Sequence, residues 1–225
     1  MKAFIFSLLL IFGITAHAQE SINQLDSEGR RHGLWKKYYD KDENQLRYEG
    51  TFEHGREKGI FRFYQPGQEH PAATKLFSVQ HDTVEVKFFT QRKNLISEGK
   101  MKDSLRIGLW KYYHQNSDKL MMTENYKNGH LEGEKITYYE NGTPAERTFY
   151  SNGRLEGEKI MYSEKGIVLE HLTYRNGELH GPAKFYNGKG VLETEGNYKN
   201  DMHHGLWKYY ENGKLKEEKD FSSQN

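Results

Sequence analysis

The sequence predicts an all-β fold, an elongated antiparallel array of β-hairpins in about eight units of roughly 24 residues. Three observations predict it. Glycines stand five residues ahead of tyrosines at a near-constant interval, and six Asn-Gly dipeptides punctuate the chain. Aromatics reach 14% while all hydrophobic residues together reach only 35%.

The repeat decides the architecture, because self-similarity at a fixed period outranks local propensity. The anchor pairs are Gly33 with Tyr38, Gly59 with Tyr64, Gly108 with Tyr113, Gly133 with Tyr138, Gly157 with Tyr162, Gly181 with Tyr186 and Gly205 with Tyr210. A degenerate copy fills the gap between Gly59 and Gly108, with Thr83 in the glycine position and Phe88 in the tyrosine position. The anchors then follow one another at 26, 24, 25, 25, 24, 24 and 24 residues. Seven residues before most anchors stands a bulky side chain: Phe52, Met101, Tyr126, Tyr150, Tyr174 or Tyr198.

The turns come next. Asn128-Gly129, Asn152-Gly153 and Asn176-Gly177 separate the two halves of a unit, and Asn141-Gly142, Asn187-Gly188 and Asn212-Gly213 follow the Gly-to-Tyr half. A two-residue type I′ turn needs positive φ at both central positions, which Asn tolerates and Gly adopts freely. Each unit therefore reads strand, turn, strand, turn, with about six to eight residues per strand. Within Gly205-Leu206-Trp207-Lys208-Tyr209-Tyr210 the period of two places Trp207 and Tyr209 on one face and Leu206, Lys208 and Tyr210 on the other. The units at Gly133 and Gly157 invert this pattern: Lys135 and Lys159 stand in the tryptophan position, and Ile136 and Ile160 in that of the mid-strand lysine. No sustained 3.6-residue stripe follows residue 18, so a helical fold is excluded.

The segments Tyr126 to Tyr138 and Tyr150 to Tyr162 share the pattern Tyr-x-Asn-Gly-x-Leu-x-Gly-x-x-x-x-Tyr. This pattern resembles the MORN-type repeat, and more narrowly the bacterial variant found among YwqK-type antitoxins. The resemblance runs over roughly residues 26 to 221. It implies a MORN-like open sheet of stacked hairpins, with an antitoxin or immunity-like role as the associated function.

The N-terminus differs in kind. Lys2, an apolar run from Ala3 to Phe12 and the small-x-small sequence Ala16-His17-Ala18 are expected to form a signal peptide over 1–18, leaving 19–225 as the repeat domain. An intracellular antitoxin has no use for such a leader. The chain has no Cys, so disulfides cannot hold an exported form together. The expected location is the bacterial periplasm, outer envelope or extracellular space. A net charge of +1, with acidic and basic residues interspersed, provides no long-range attraction for nucleic acid. After cleavage no segment is long and apolar enough to span a membrane.

No catalytic constellation, metal site or cofactor site is expected. The sequence lacks a phosphate-binding loop and a Gly-x-Ser-x-Gly elbow. His32, His180 and His204 each precede an anchor glycine, a repeat position that points to turn packing, and His203-His204 lacks further ligands at metal spacing. Glu98, Glu124, Glu170 and Glu195 are expected to be solvated or cross-strand partners of Lys. Trp35, Trp110 and Trp207 form the candidate interaction surface, because a thin sheet has difficulty burying both faces. The stretch Tyr64 to Pro71 departs from the repeat and is expected to be a longer loop. The reading is a non-enzymatic, exported scaffold that binds a protein partner. A cell-envelope structural or glycan-binding role for the aromatics is the alternative, and the open sheet ends allow a homodimer.

Overall fold

The computed structural model describes residues 21–40, 44–78 and 82–222, so the expected signal peptide lies outside the described residues. A two-residue strand, β1 (Gln24–Leu25), precedes eight strand pairs, each made of an anchor strand and a partner strand. The first four pairs are β2 (Arg31–Tyr38) with β3 (Leu46–Glu53), β4 (Arg56–Phe63) with β5 (Ala73–Phe77), β6 (Thr83–Phe89) with β7 (Leu95–Lys102), and β8 (Leu105–Tyr113) with β9 (Leu120–Lys127). The last four are β10 (His130–Tyr138) with β11 (Pro144–Ser151), β12 (Arg154–Tyr162) with β13 (Val168–Arg175), β14 (Glu178–Tyr186) with β15 (Leu192–Lys199), and β16 (Met202–Glu211) with β17 (Lys214–Asp220). Each strand pairs antiparallel with its neighbours in sequence, giving one open 17-stranded sheet of hairpins. The all-β hairpin array holds, with β1 as an addition at the N-terminal edge. Among the described residues no helix is long and apolar enough to cross a membrane.

Two kinds of turn join the strands. At Asn128-Gly129, Asn152-Gly153, Asn176-Gly177 and Asn212-Gly213 both residues have positive φ, as a type I′ turn demands. Asp103-Ser104 and Asn200-Asp201 do the same without glycine, and His54-Gly55 does so with histidine in the asparagine position. Asn141-Gly142 and Asn187-Gly188 depart from the expectation. In the first, Gly142 alone of the two is left-handed, and the loop closes from Tyr139 to Thr143. In the second, the left-handed residue is Gly190, while the Asn187 side chain accepts the N–H groups of Lys189 and Val191. These are longer turns ending in a left-handed residue. Residues 64–72 form the expected longer loop between β4 and β5.

The seven anchor glycines all have positive φ, from 62° at Gly108 to 110° at Gly181. Their purpose is visible in the register. Across β15 and β16, Glu195 faces Lys208 while Asn197 faces His204, so the anchor strand carries two extra residues around Gly205. This bulge recurs where β4, β8, β10, β12 and β14 meet the strand before them. Two residues before the anchor, a carbonyl accepts an N–H from the type I′ turn of the next unit: Gly55 to Arg31, Gly129 to Arg106, Gly153 to Leu131, Gly177 to Leu155 and Asp201 to Leu179, at 2.8–3.0 Å. Successive units are thus fastened through main-chain atoms.

Side chains reinforce the fastening. Glu132 and Glu156, each just before an anchor glycine, accept the N–H groups of Asn152 and Asn176 in the following turn, at 2.8 and 2.7 Å. His180 holds the same position and reaches Asn200 Oδ1 at 3.3 Å. At the opposite end of the strands, the Tyr39 and Tyr139 hydroxyls donate to the carbonyls of Tyr64 and Tyr162.

The apolar packing lies along one row that crosses the strands. It runs Trp35, Gly50, Phe61, Lys75, Val86, Gly99 and Trp110, then Glu124, Lys135, Thr148 and Lys159, then Leu172, Ala183, Gly196, Trp207 and Lys219. Phe61, Val86, Trp110, Ala183 and Trp207 are each no more than 3% exposed. On the other face, Lys36, Glu49, Arg62, Lys87, Glu98 and Lys111 line up at one end and Lys184, Glu195, Lys208 and Glu218 at the other. Ile136 and Ile160 occupy this second row in the middle. The inversion read from Lys135, Ile136, Lys159 and Ile160 is therefore a local exchange of character between faces.

Candidate functional site

Trp110 and Trp207 correct the expectation of an exposed tryptophan surface: each is 1% exposed. The reason is a small-for-large exchange between adjacent strands. The ring of Trp110 lies against Gly99, where an added Cβ would stand 2.3 Å from Cδ2, and that of Trp207 lies against Gly196, at 2.2 Å. Phe61 does the same over Gly50. The indole N–H then reaches the next carbonyl, Lys100 for Trp110 and Asn197 for Trp207, at 3.1 and 3.0 Å. Arg106 covers the Trp110 ring at 4.6 Å and donates to the hydroxyls of Tyr112 and Tyr126. At the C-terminal end, His203 stacks on Trp207 and Phe221 closes over His203. These indoles are core, and a single sheet buries them because the covering atoms come from neighbouring strands of the same face.

Trp35 behaves differently. It is half-buried and lines a surface groove of about 490 Å³ with Arg31, Lys37, Arg47, Tyr48 and Phe63. Its indole N–H donates to the Gln24 carbonyl at 3.0 Å, and Arg31 lies over the ring at 4.9 Å. Tyr39 and Tyr64 complete the wall, with Arg47 over the Tyr39 ring at 5.7 Å. The lining residues include three cations and no carboxylate. Two further grooves, of about 420 and 270 Å³, recur over Gly99 and Gly196 on the charged face. There carboxylates stand among the lysines, Glu85 and Glu98 beside three in one and Glu195 beside two in the other. The Trp35 groove is thus a locally basic, aromatic-walled surface on a nearly neutral chain. Aromatic faces and guanidinium forks bind; the lining offers no imidazole, carboxylate or activated hydroxyl to do chemistry.

The anchor tyrosines carry a second recurring element. Tyr64, Tyr113 and Tyr210 donate to Glu49, Glu98 and Glu195, each 15 residues earlier, at 3.0, 2.7 and 2.7 Å. Glu98 also meets Lys87 at 3.1 Å and Glu195 meets Lys184 at 3.9 Å, as expected of cross-strand partners. Glu124 is likewise the cross-strand partner of a lysine, Lys135 at 3.5 Å, but it is only 7% exposed and also accepts from Tyr126 at 2.7 Å. Burial first, and then the neighbouring carboxylate, pushes the phenols of Tyr64 and Tyr113 up to about 12 from 10.0. A raised folded-state pKa keeps the proton on the native state while the unfolded chain releases it. The stability from these phenols is therefore complete below pH 10.0 and is lost as pH rises toward about 12. Alkaline unfolding followed by phenolate absorbance should show this loss, and Tyr64→Phe with Tyr113→Phe should make the profile in that window shallower.

The sequence carries a signal for the buried rings. Glu49-Gly50, Glu98-Gly99 and Glu195-Gly196 precede Phe61, Trp110 and Trp207 by a fixed distance, the glycine 11 residues ahead of the ring it accommodates. At the N-terminal corner, Asp26 joins β1 to β2. Its carboxylate accepts the N–H groups of Glu28 and Arg30 and lies 2.9 Å from His54 Nδ1. The His54 contact, aided by these donors, holds the Asp26 carboxyl well below the usual carboxylate range.

The family model described as the MORN repeat variant matches residues 131–152, 179–200 and 204–222. The first two matches run from the carbonyl that fastens a unit to the turn that meets it, so sequence repeat and structural repeat share a frame. Among curated proteins none matches the chain. The chain carries MORN-type repeats, an architecture generally found in non-enzymatic repeat proteins.

Proposed function

We propose that this MORN-type repeat protein is an exported scaffold that binds a protein partner through the Trp35 groove. The observation that carries the reading is the groove itself: Arg31, Lys37 and Arg47 around Trp35, Tyr48 and Phe63, with no acid among its lining residues. Such a surface fits a protein segment that presents carboxylates beside an apolar anchor, because guanidinium groups pair with carboxylates and aromatic walls bury the anchor. An immunity-like or antitoxin-like partnership is one form of this role. The leader expected over residues 1–18 supports an encounter outside the cytoplasm.

The test is crosslinking of the mature chain in an envelope fraction, comparing wild type with Arg31→Glu/Arg47→Glu. The expected result is a discrete crosslinked species that weakens with added salt and falls about tenfold or more in the charge-reversed variant. Monomer alone, or a species indifferent to the reversal, would sink the reading. The glycan alternative keeps one aromatic carrier, Trp35, since Trp110 and Trp207 are buried. Sedimentation with purified polysaccharide that disappears in Trp35→Ala would favour it instead.

A further inference from the structure

We infer that Asp26, His32 and His54 form a binding site for a divalent transition-metal ion of the zinc class, which clamps the N-terminal edge of the sheet. Their ligand atoms all lie within 4.8 Å of one another. Two imidazoles and one carboxylate are a donor set that suits zinc and its neighbours and leaves a coordination position open for water.

The repeat itself makes this corner unusual. His32 stands directly before the anchor Gly33, the position held by Glu132 and Glu156 in later units. There the carboxylate accepts an N–H from the Asn of the next turn. In the first unit the turn residue is His54, not Asn, and it sits at φ 49° where sibling turns carry Asn128, Asn152, Asn176 or Asn200. The fastening pair has become two imidazoles with ring centroids 5.0 Å apart. Histidine at left-handed φ has no advantage over asparagine as a turn former, so the turn alone does not account for His54.

Two contacts compete for one ring nitrogen of His54. Nδ1 lies 2.9 Å from Asp26 Oδ2, an acceptor, and 3.1 Å from Arg30 Nη2, a donor. A single ring nitrogen cannot donate to the first and accept from the second at once. A metal ion removes the conflict, because Nδ1 and Oδ2 then both direct lone pairs at one cation. The Arg30 guanidinium occupies that cationic place in the described geometry, with Nε 2.9 Å from Oδ2. Its side chain is 41% exposed and already reaches Glu28 Oε2 at 2.9 Å, so it can yield the position without losing its charge partner. The bound ion would join the β1–β2 turn to the β3–β4 turn.

The experiment is calorimetric titration of zinc into the metal-free mature chain, beside His54→Asn, His32→Ala and Arg30→Gln. His54→Asn restores the residue of the sibling turns and therefore keeps the fold. The expected result is one site that His54→Asn and His32→Ala each weaken by about tenfold or more, and that Arg30→Gln strengthens by removing the competing cation. Zinc should also slow hydrogen exchange in β1 and the His54-Gly55 turn of the wild type and not of His54→Asn. Equal stoichiometry and affinity in wild type and His54→Asn would overturn the site, since the remaining histidines would then account for the binding. Absence of any binding to the wild type would overturn it as well. Neither outcome touches the Trp35 groove, whose lining excludes these three residues.

Discussion

Trp110→Ala is expected to destabilise the protein by about 3–5 kcal/mol, the usual cost of emptying a buried large aromatic site. The ring is 1% exposed and meets Gly99, Arg106, Phe88 and Tyr126. Collapse around the void is hindered, because the backbone on both sides is held by sheet hydrogen bonds and by the Gly129-to-Arg106 fastening. The array is quasi-one-dimensional, so a lesion at β8 weakens the coupling between the units before and after it. Chemical denaturation should then resolve two transitions where a single one is expected of the wild type, and hydrogen exchange should place the weakest protection at β7 to β9. A single transition with an unchanged midpoint would contradict the assignment of Trp110 to the core.

Gly99→Ala should cost about 1–3 kcal/mol, although alanine is ordinarily the mildest replacement for glycine in a strand. The new Cβ would stand 2.3–2.6 Å from three atoms of the Trp110 ring, and the ring cannot move without breaking its N–H bond to Lys100. The penalty is steric, so it should shrink when the ring is smaller. A cycle with Trp110→Leu should yield a coupling energy of about 1 kcal/mol or more between the two sites. Gly188→Ala is the control, since nothing lies within 4 Å of its added Cβ, and it should be close to neutral. Additive costs at positions 99 and 110 would show that the ring does not need the bare backbone beneath it.

Periodicity made much of the fold legible. Gly and Tyr at fixed spacing report a backbone event and a packing event that recur together, and a single sequence shows both. The type I′ turns at Asn128, Asn152 and Asn176 were equally plain, because positive φ at two successive residues leaves few residue choices. Two features were hidden. The bulge at the anchor glycines from Gly59 to Gly205 adds residues to one strand without disturbing the alternation of side chains, so such a glycine reads as a strand opening when it is a kink within the strand. The burial of Trp110 and Trp207 was missed for a different reason. A thin sheet was expected to leave large rings exposed, yet a ring laid flat over a glycine of the adjacent strand is covered from its own face. The basic groove at Trp35 was illegible as well, since Arg31, Lys37 and Arg47 lie on two strands and only their pairing gathers them. His32 and His54 fall in recurring turn positions, and that regularity concealed their meeting with Asp26.

The bond that runs, in five of the joints, from a turn N–H to the carbonyl two residues before the preceding anchor has a consequence for how such a chain grows. Donor and acceptor both belong to the peptide backbone, so a tandemly duplicated segment arrives with each half of its own coupling and fits its neighbours without a compensating substitution. Lengthening by copying is therefore easy, and the side chains beside the joint are released to diverge afterwards: glutamate at 132 and 156, histidine at 180 and at 32. New chemistry in this molecule is expected where a copied joint has drifted, not where a pocket was built afresh.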